Sequence, residues 1–233
     1  MIKVFFHLAI MGNDFQKIHD ELITKIVAND LLIICDTFTV CVVGDIDRLT
    51  KFENPKVEYF KVGEINDYEF PTLQFIEEEI NETDENIKIL YINGLGVTND
   101  SIYKQSWRKY LTYFNIIKWE ECIKALDNGY DVCGVDWRTD PVPHFSGNFW
   151  WANSSYLKTL PKIQTLNKPD SPRVLTLRHN AEMYIGMNKD VKPRILHQSD
   201  VSQYSRHLFM YDSENYLNKI SETNEIKAKG EKE

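Results

Sequence analysis

The stretch His144-Phe145-Ser146-Gly147-Asn148-Phe149-Trp150-Trp151-Ala152-Asn153 concentrates groups that bind ligands. Gly147 lets a backbone approach a bound molecule closely, and Ser146 and Asn148 offer donors and acceptors. Neighbouring residues of a strand face opposite ways, so Trp150 and Trp151 divide between two faces. One is expected in the core and the other along a cleft, where a ring covers the apolar face of a sugar. A second cluster, Arg178-His179-Asn180-Ala181-Glu182, is rich in ionisable groups. A carboxylate there can take a proton from a hydroxyl nucleophile, which makes Glu182 the first candidate base and Asp136 the second. Arg178 or His179 can neutralise an anionic leaving group. Asp45-Ile46-Asp47 places two carboxylates on one turn, a possible Mg²⁺ or Mn²⁺ site because hard cations prefer oxygen ligands; a solvated acidic loop has the same composition.

Such groups need a frame. Ile2 to Ile10 is a short apolar run with the length of a buried strand. Gly12, Asn13 and Asp14 make a turn with a candidate helix cap, and Phe15, Ile18, Leu22 and Ile26 follow at helical spacing. Thr37 to Val43 is β-branched and ends at Gly44-Asp45. This strand–helix–strand opening predicts a parallel sheet. Val57 to Val62 is read as a third strand. Pro71 starts a helix with Leu73, Ile76 and Ile80 on its apolar face. Ile87 to Ile92 is a strand stopped by Asn93-Gly94-Leu95-Gly96. Trp107, Tyr110, Leu111, Phe114 and Ile117 mark the longest amphipathic helix, Tyr130 to Val135 a further strand, and Arg178 to Gly186 a helix or helix–turn. In an open parallel sheet ligands bind beyond the carboxyl ends of the strands. Asn13, Asp45, Asn93 and Asp136 each follow a strand. His7, inside an apolar strand, reads first as a hydrogen-bonded core histidine.

The whole is ordinary for one globular domain of 233 residues, 42% apolar and 27% charged. The net charge of −8 argues against general nucleic-acid binding, which shows a basic patch. Cys35, Cys41, Cys122 and Cys133 form no CxxC pair, so they read as reduced thiols rather than a zinc site. No run is long enough for a transmembrane segment, and no leader is read, so the expected location is the cytoplasm, or the host cytoplasm if the chain is viral. The sequons at Asn81, Asn99 and Asn153 then read as chance. From residue 218 the chain turns charged and low in aromatics, so 1–217 is expected as the domain and 218–233 as a disordered tail.

Several motifs in order resemble a group of GT-A-type glycosyltransferase-like proteins of bacteria and large DNA viruses. The resemblance begins at VFFHLAIMGNDF and runs through VVGD, EFPTL, ILYINGLGVT and SWRKYLTYF to GVDWRTDPVPHFSGNFWWANSSYLKTLP and RHNAEMYIG. It covers roughly residues 3 to 190, and the HFSGNFWWANSSYLKTLP string is its specific part. It implies a GT-A-like, single Rossmann-type α/β domain with a mostly parallel central sheet flanked by helices. It also implies binding of a nucleotide sugar, with the loop around Ala9 and Asn13 near the base, Asp45 close by, and Ser146, Gly147 and Asn148 of the SGNFWWANSSYL segment beside the donor sugar. The residues themselves add His7, Asn93 and Gly94 as donor-binding candidates, and His144, Trp150, Trp151, Arg178 and His179 as candidates for the acceptor or sugar cleft. Glu182 falls where such enzymes place an acceptor-side acid or base. One departure matters. Relatives end the central strand in His-Thr-Lys-Gly, near where the metal-binding D-x-D belongs, and Asn93-Gly94-Leu95-Gly96 stand here instead.

The expected function is therefore transfer of a sugar from a nucleotide-diphosphate donor to a hydroxyl of a glycan or other acceptor, with Mn²⁺ or Mg²⁺ at Asp45 and Asp47 as the metal option. The alternative is a catalytically weakened module that binds a nucleotide sugar or glycan. A sugar-phosphate nucleotidyltransferase ranks below both, because the loop MGNDF has one glycine and no basic residue before Lys17.

Overall fold

A computed structural model describes residues 1–166, 176–202, 204–206 and 208–217; the expected tail at 218–233 lies outside the described residues. In chain order the elements are β1 (Ile2–Ala9), α1 (Phe15–Ala28), α2 (Leu31–Ile34), β2 (Thr37–Val43), β3 (Val57–Gly63), α3 (Phe70–Asn81), β4 (Lys88–Asn93), α4 (Ile102–Thr112), α5 (Trp119–Asp127), β5 (Val132–Gly134), β6 (Trp137–Arg138), β7 (His144–Phe145), β8 (Trp150–Asn153), α6 (Ser154–Leu157), α7 (Ile163–Leu166), α8 (Leu177–Glu182) and β9 (Pro193–Ile195).

A seven-stranded sheet runs in the order β3-β2-β1-β4-β8-β5-β9. The pairs β1–β2, β1–β4, β2–β3 and β5–β9 are parallel, whereas β8 is antiparallel to both β4 and β5. The fold is thus α/β with a mostly parallel central sheet flanked by helices on both faces. The chain moves outward from β1 to β2 and β3, then returns to place β4 on the other flank of β1. That reversal opens a crevice between the carboxyl ends of β1 and β4, the usual ligand position in such sheets.

Alternation along the strands builds two cores. On one face Val4, Phe6 and Leu8 of β1, Leu90 and Ile92 of β4 and Trp151 of β8 pack beneath α1, α4 and α5. On the other, Phe5, Ile89, Tyr91 and Trp150 pack beneath α3, with Tyr156, Leu157, Ile163 and Ala181 from the later helices. His7 and Asn93 continue the second face to the strand ends. The predicted apolar face of α1 is buried at Phe15, Ile18, Leu22 and Ile26, and that of α3 at Leu73, Ile76 and Ile80. All four cysteines are buried free thiols. No helix among the described residues is long and apolar enough to cross a membrane.

Two local expectations change, and a third, the helix–turn at 178–186, is met. The stretch from Ile102 is α-helical to Thr112 and then a π-helical turn, Tyr113–Ile117, so α1, with 14 residues, is the longest α-helix among the described residues. Asp14 occupies the cap position of α1, but its Oδ2 accepts the backbone N–H of Asp100 (3.2 Å) instead of capping the helix. The region 178–186 is α8 followed by a 3₁₀ turn at Tyr184–Gly186.

Candidate functional site

The crevice opens into a cleft of about 650 Å³. Its floor comes from the ends of two strands. His7 and Ala9 close β1, and Asn93 closes β4. His7 Nδ1 shares a hydrogen bond with Thr72 Oγ1 at 2.8 Å, and burial pushes its pKa down to about 3, so the ring is neutral. His7 is both the hydrogen-bonded histidine of the sheet and a cleft residue.

The Gly94–Asp100 loop forms one wall and is held from below. Arg108, whose side chain is 1% exposed, donates to Leu95 O (2.7 Å), to Asp100 Oδ1 (2.7 Å) and, in a fork, to Glu21 Oε1 and Oε2 (3.1 and 2.6 Å). Lys17 reaches the other Asp100 oxygen at 2.8 Å. These ion pairs tie α1, α4 and the loop together under the cleft.

The opposite wall is the turn into β8. Gly147 (φ 101°) and Asn148 (φ 56°) both lie in the left-handed region. A Cβ on Gly147 would sit 2.6 Å from Leu111 Cδ1 and 2.9 Å from Trp107 Nε1, so this position excludes a side chain. Asn148 Nδ2 donates to Glu69 Oε2, and its Oδ1 accepts the indole N–H of Trp150 at 2.9 Å. Asn93 Nδ2 donates to Gly147 O (3.1 Å) and lies 3.4 Å from Glu69 Oε1.

Glu69 is thereby the best-connected carboxyl of the cleft. It sits between a 3₁₀ turn (Ile65–Asp67) and α3, at the N-cap position, yet its side chain makes no cap and turns into the cleft. Burial first, and then the like charge of Glu182, push its pKa up to about 8; Arg178, Tyr91 and Asn148 only partly oppose them. At neutral pH it is predominantly a neutral acid. Glu182, at the end of α8, pairs with Arg178 one turn earlier (2.7 Å). Lys104, from the first turn of α4, and Arg206, from the C-terminal segment, complete the ring of charge. Burial pushes the Arg206 guanidinium below its ordinary range.

The cleft therefore gathers His7, Ala9, Asn93, Gly94, His144, Gly147, Asn148, Arg178 and Glu182 from the residues singled out by sequence. Others fall elsewhere. Trp150 and Trp151 do divide between the two faces of β8, but each is buried (1% and 0% exposed), because helices cover both faces; neither ring is available to a sugar, which corrects the cleft expectation. Asp136 is corrected as a base. It is fully buried, and its carboxylate accepts from Arg138 Nε (3.1 Å) and Nη2 (2.5 Å), Ser199 N (3.1 Å) and Oγ (2.6 Å), and Gln198 Nε2 (3.2 Å). Every oxygen is occupied by a structural donor. Ser146 is buried behind the wall, Asn13 is exposed outside the cleft, and His179 is bonded to Thr176 Oγ1 (2.7 Å) away from it.

Asp45 and Asp47 are exposed and outside the cleft, and Asp45 Oδ1 accepts Asp47 N–H (3.2 Å) to start a 3₁₀ turn. The end of β4 carries Asn93 and Gly94 in place of carboxylates. Among the described residues no three His, Cys, Asp or Glu side chains come together in a metal-binding group. The cleft carboxyls are Glu69 and Glu182, so a divalent cation there would need phosphate or water oxygens to complete its shell.

The sequence reading missed Glu69, Lys104 and Arg206. Glu69 had one signal, its place in the EFPTL motif after β3; the two cations had none.

Residues 43–200 match a family model described as a domain of unknown function, DUF8361. No curated protein matches the sequence. Among solved structures, the chain is similar to the 4-diphosphocytidyl-2C-methyl-D-erythritol synthase of Anaerococcus prevotii DSM 20548, at 11% identity and a TM-score of 0.45, over 96% of this chain and 98% of that one. It is similar to the bifunctional IspDF of Campylobacter jejuni at 11% and 0.43, over 85% of this chain and 50% of that one. A further 4-diphosphocytidyl-2C-methyl-D-erythritol synthase matches at 13% and 0.42, over 94% and 96%. Likeness at this level leaves the chemistry to be argued from the cleft.

Proposed function

The chain belongs to the DUF8361 family, and from that premise we propose that it is a glycosyltransferase acting on a nucleotide-diphosphate sugar. The observation that carries this reading is the joining, in one crevice, of two carboxyls, Glu69 and Glu182, with three cations, Arg178, Lys104 and Arg206. The resemblance of the HFSGNFWWANSSYLKTLP segment to GT-A-type proteins supports the same class of chemistry.

In this reading the Glu182 carboxylate takes the proton of the acceptor hydroxyl as its oxygen bonds to the anomeric carbon. The bond from that carbon to the diphosphate oxygen breaks, and the diphosphate leaves with the electron pair. Arg178 and the other cleft cations stabilise the charge that develops there. Glu69, neutral, donates a hydrogen bond to a sugar hydroxyl. No step is assigned to a metal.

The test is thermal melting against a panel of nucleotide sugars with and without Mn²⁺, followed by release of nucleoside diphosphate in the presence of glycan acceptors. A ligand that binds the folded state raises the melting temperature. A shift with one donor, and product release with it, supports transfer. No shift with any donor, in protein that is folded, sinks the reading.

A second reading, a nucleotide-sugar or glycan-binding module, is favoured by the 2.7 Å Arg178–Glu182 pair, which engages the proposed base in the free protein. Donor binding without product release under any acceptor distinguishes it.

A further inference from the structure

Among the described residues two of the cleft cations form no ion pair, and the carboxylates of Glu182 and Asp136 act on Arg206 only from beyond that contact. Arg178 is neutralised by Glu182. Lys104 and Arg206 take part in no ion pair among the described residues, although Asp and Glu outnumber Lys and Arg 35 to 27 along the chain. Both are partly buried. Holding desolvated charge without a partner is costly, and a chain this acidic has carboxylates to spare. Two unpaired cations in one concave site therefore mark the place of an anionic ligand.

The mounting of the two side chains agrees. Lys104 and Trp107 lie one turn apart on α4. The Arg206 guanidinium sits 5.9 Å over the Trp107 ring, and its Nη1 donates to Ser146 Oγ at 2.5 Å. A guanidinium carries five N–H donors, and Ser146 takes one. The segment that brings Arg206 is pinned to the same helix: Tyr211 N–H donates to Ser106 Oγ (3.1 Å), and the rings of Tyr211 and Tyr216 lie 4.9 and 5.3 Å from Tyr110. One helix thus fixes the spacing of both charges. The segment also lies beyond residue 200, outside the span of the family match.

We propose that Lys104 and Arg206 form a subsite for the phosphate groups of an anionic ligand, with the C-terminal segment supplying half of it. This deepens the transferase reading and rests on it for the identity of the ligand, the diphosphate of the donor.

The experiment is calorimetric titration of the full chain with inorganic pyrophosphate at low ionic strength. Wild type, Lys104→Gln, Arg206→Gln and the double variant are compared, each checked for folding by circular dichroism. Loss of one charged hydrogen-bond partner weakens binding about tenfold or more. The expected result is that fall in each single variant and no binding in the double. Wild-type affinity in folded Lys104→Gln or Arg206→Gln overturns the proposal, as does folded wild type that does not bind pyrophosphate. Should Arg206→Gln unfold, Lys104→Gln carries the test alone, since it removes only the end of a partly exposed side chain. The same proteins are then titrated with the donor found by melting. Pyrophosphate bound through these residues, with no nucleotide sugar turned over, keeps the subsite and removes the transferase reading. A donor bound equally by wild type and variants does the reverse.

Discussion

Trp150 donates its indole N–H to Oδ1 of Asn148 at 2.9 Å. An indole nitrogen only donates, so the amide oxygen must face it and the amide NH₂ must face Glu69. A fully buried residue of β8 thereby sets the polarity of a cleft residue two positions away.

Trp150→Phe keeps a ring stacked near Tyr91, from which the indole is now 4.9 Å away, but removes the N–H. The Asn148 amide is then free to turn its oxygen to Glu69, which favours the protonated carboxyl. The expected result is a Glu69 titration midpoint above about 8, read by carboxyl ¹³C NMR with Glu69→Gln as the assignment control. The loss of stability is about 1 kcal/mol. An unmoved midpoint shows that Trp150 does not hold the amide.

Stability should fall with rising pH because of Glu69. Its folded pKa, about 8, lies above its ordinary 4.5. Between those values the native state binds more protons than the unfolded state, so the contribution is full below about 4.5 and is lost as pH rises through about 8. Urea unfolding from pH 5 to 9 should show this decline in wild type and a flatter profile in Glu69→Gln. Parallel profiles would mean that Glu69 is ionised throughout.

Glu182→Gln separates chemistry from electrostatics. Transfer should drop by about 10²–10⁴-fold if Glu182 is the base. Independently of any substrate, removing its charge should lower the Glu69 midpoint, because that charge is the second largest cause of the upward shift. Full turnover in this variant takes Glu182 out of the role.

Arg108→Met tests the support of the Gly94–Asp100 loop. Asp100, with its side chain 2% exposed, would lose its buried partner and keep only Lys17. Breaking one side of a buried ion pair costs about 3–5 kcal/mol, and thermal melting should register it. A change below about 1 kcal/mol would show that Lys17 and solvent compensate for the loss.

Local pattern was enough to reveal much of the frame. Apolar runs of strand length, the helical spacing of Phe15, Ile18, Leu22 and Ile26, and the turn residues after each strand are dictated by neighbours in the chain. So is the placing of His7 and Asn93 toward strand ends, because a parallel sheet collects its strand ends on one edge. The opposite facing of Trp150 and Trp151 was equally legible, since strand alternation is local.

Only the tertiary structure decided what each of those faces meets. Whether a tryptophan lines a cleft or fills a core depends on the helices that cover the sheet, and here both sides of β8 are covered. The insertion of β8, antiparallel, between β4 and β5 brings Asn148 to Glu69 across 79 positions of sequence. No spacing rule spans that distance. Asp136 followed a strand as a catalytic carboxylate would, yet Ser199, 63 positions away, consumes it. Lys104 and Arg206 look like ordinary surface cations in sequence. They become a charged pair in one cleft because α4 carries the one and anchors the segment that bears the other.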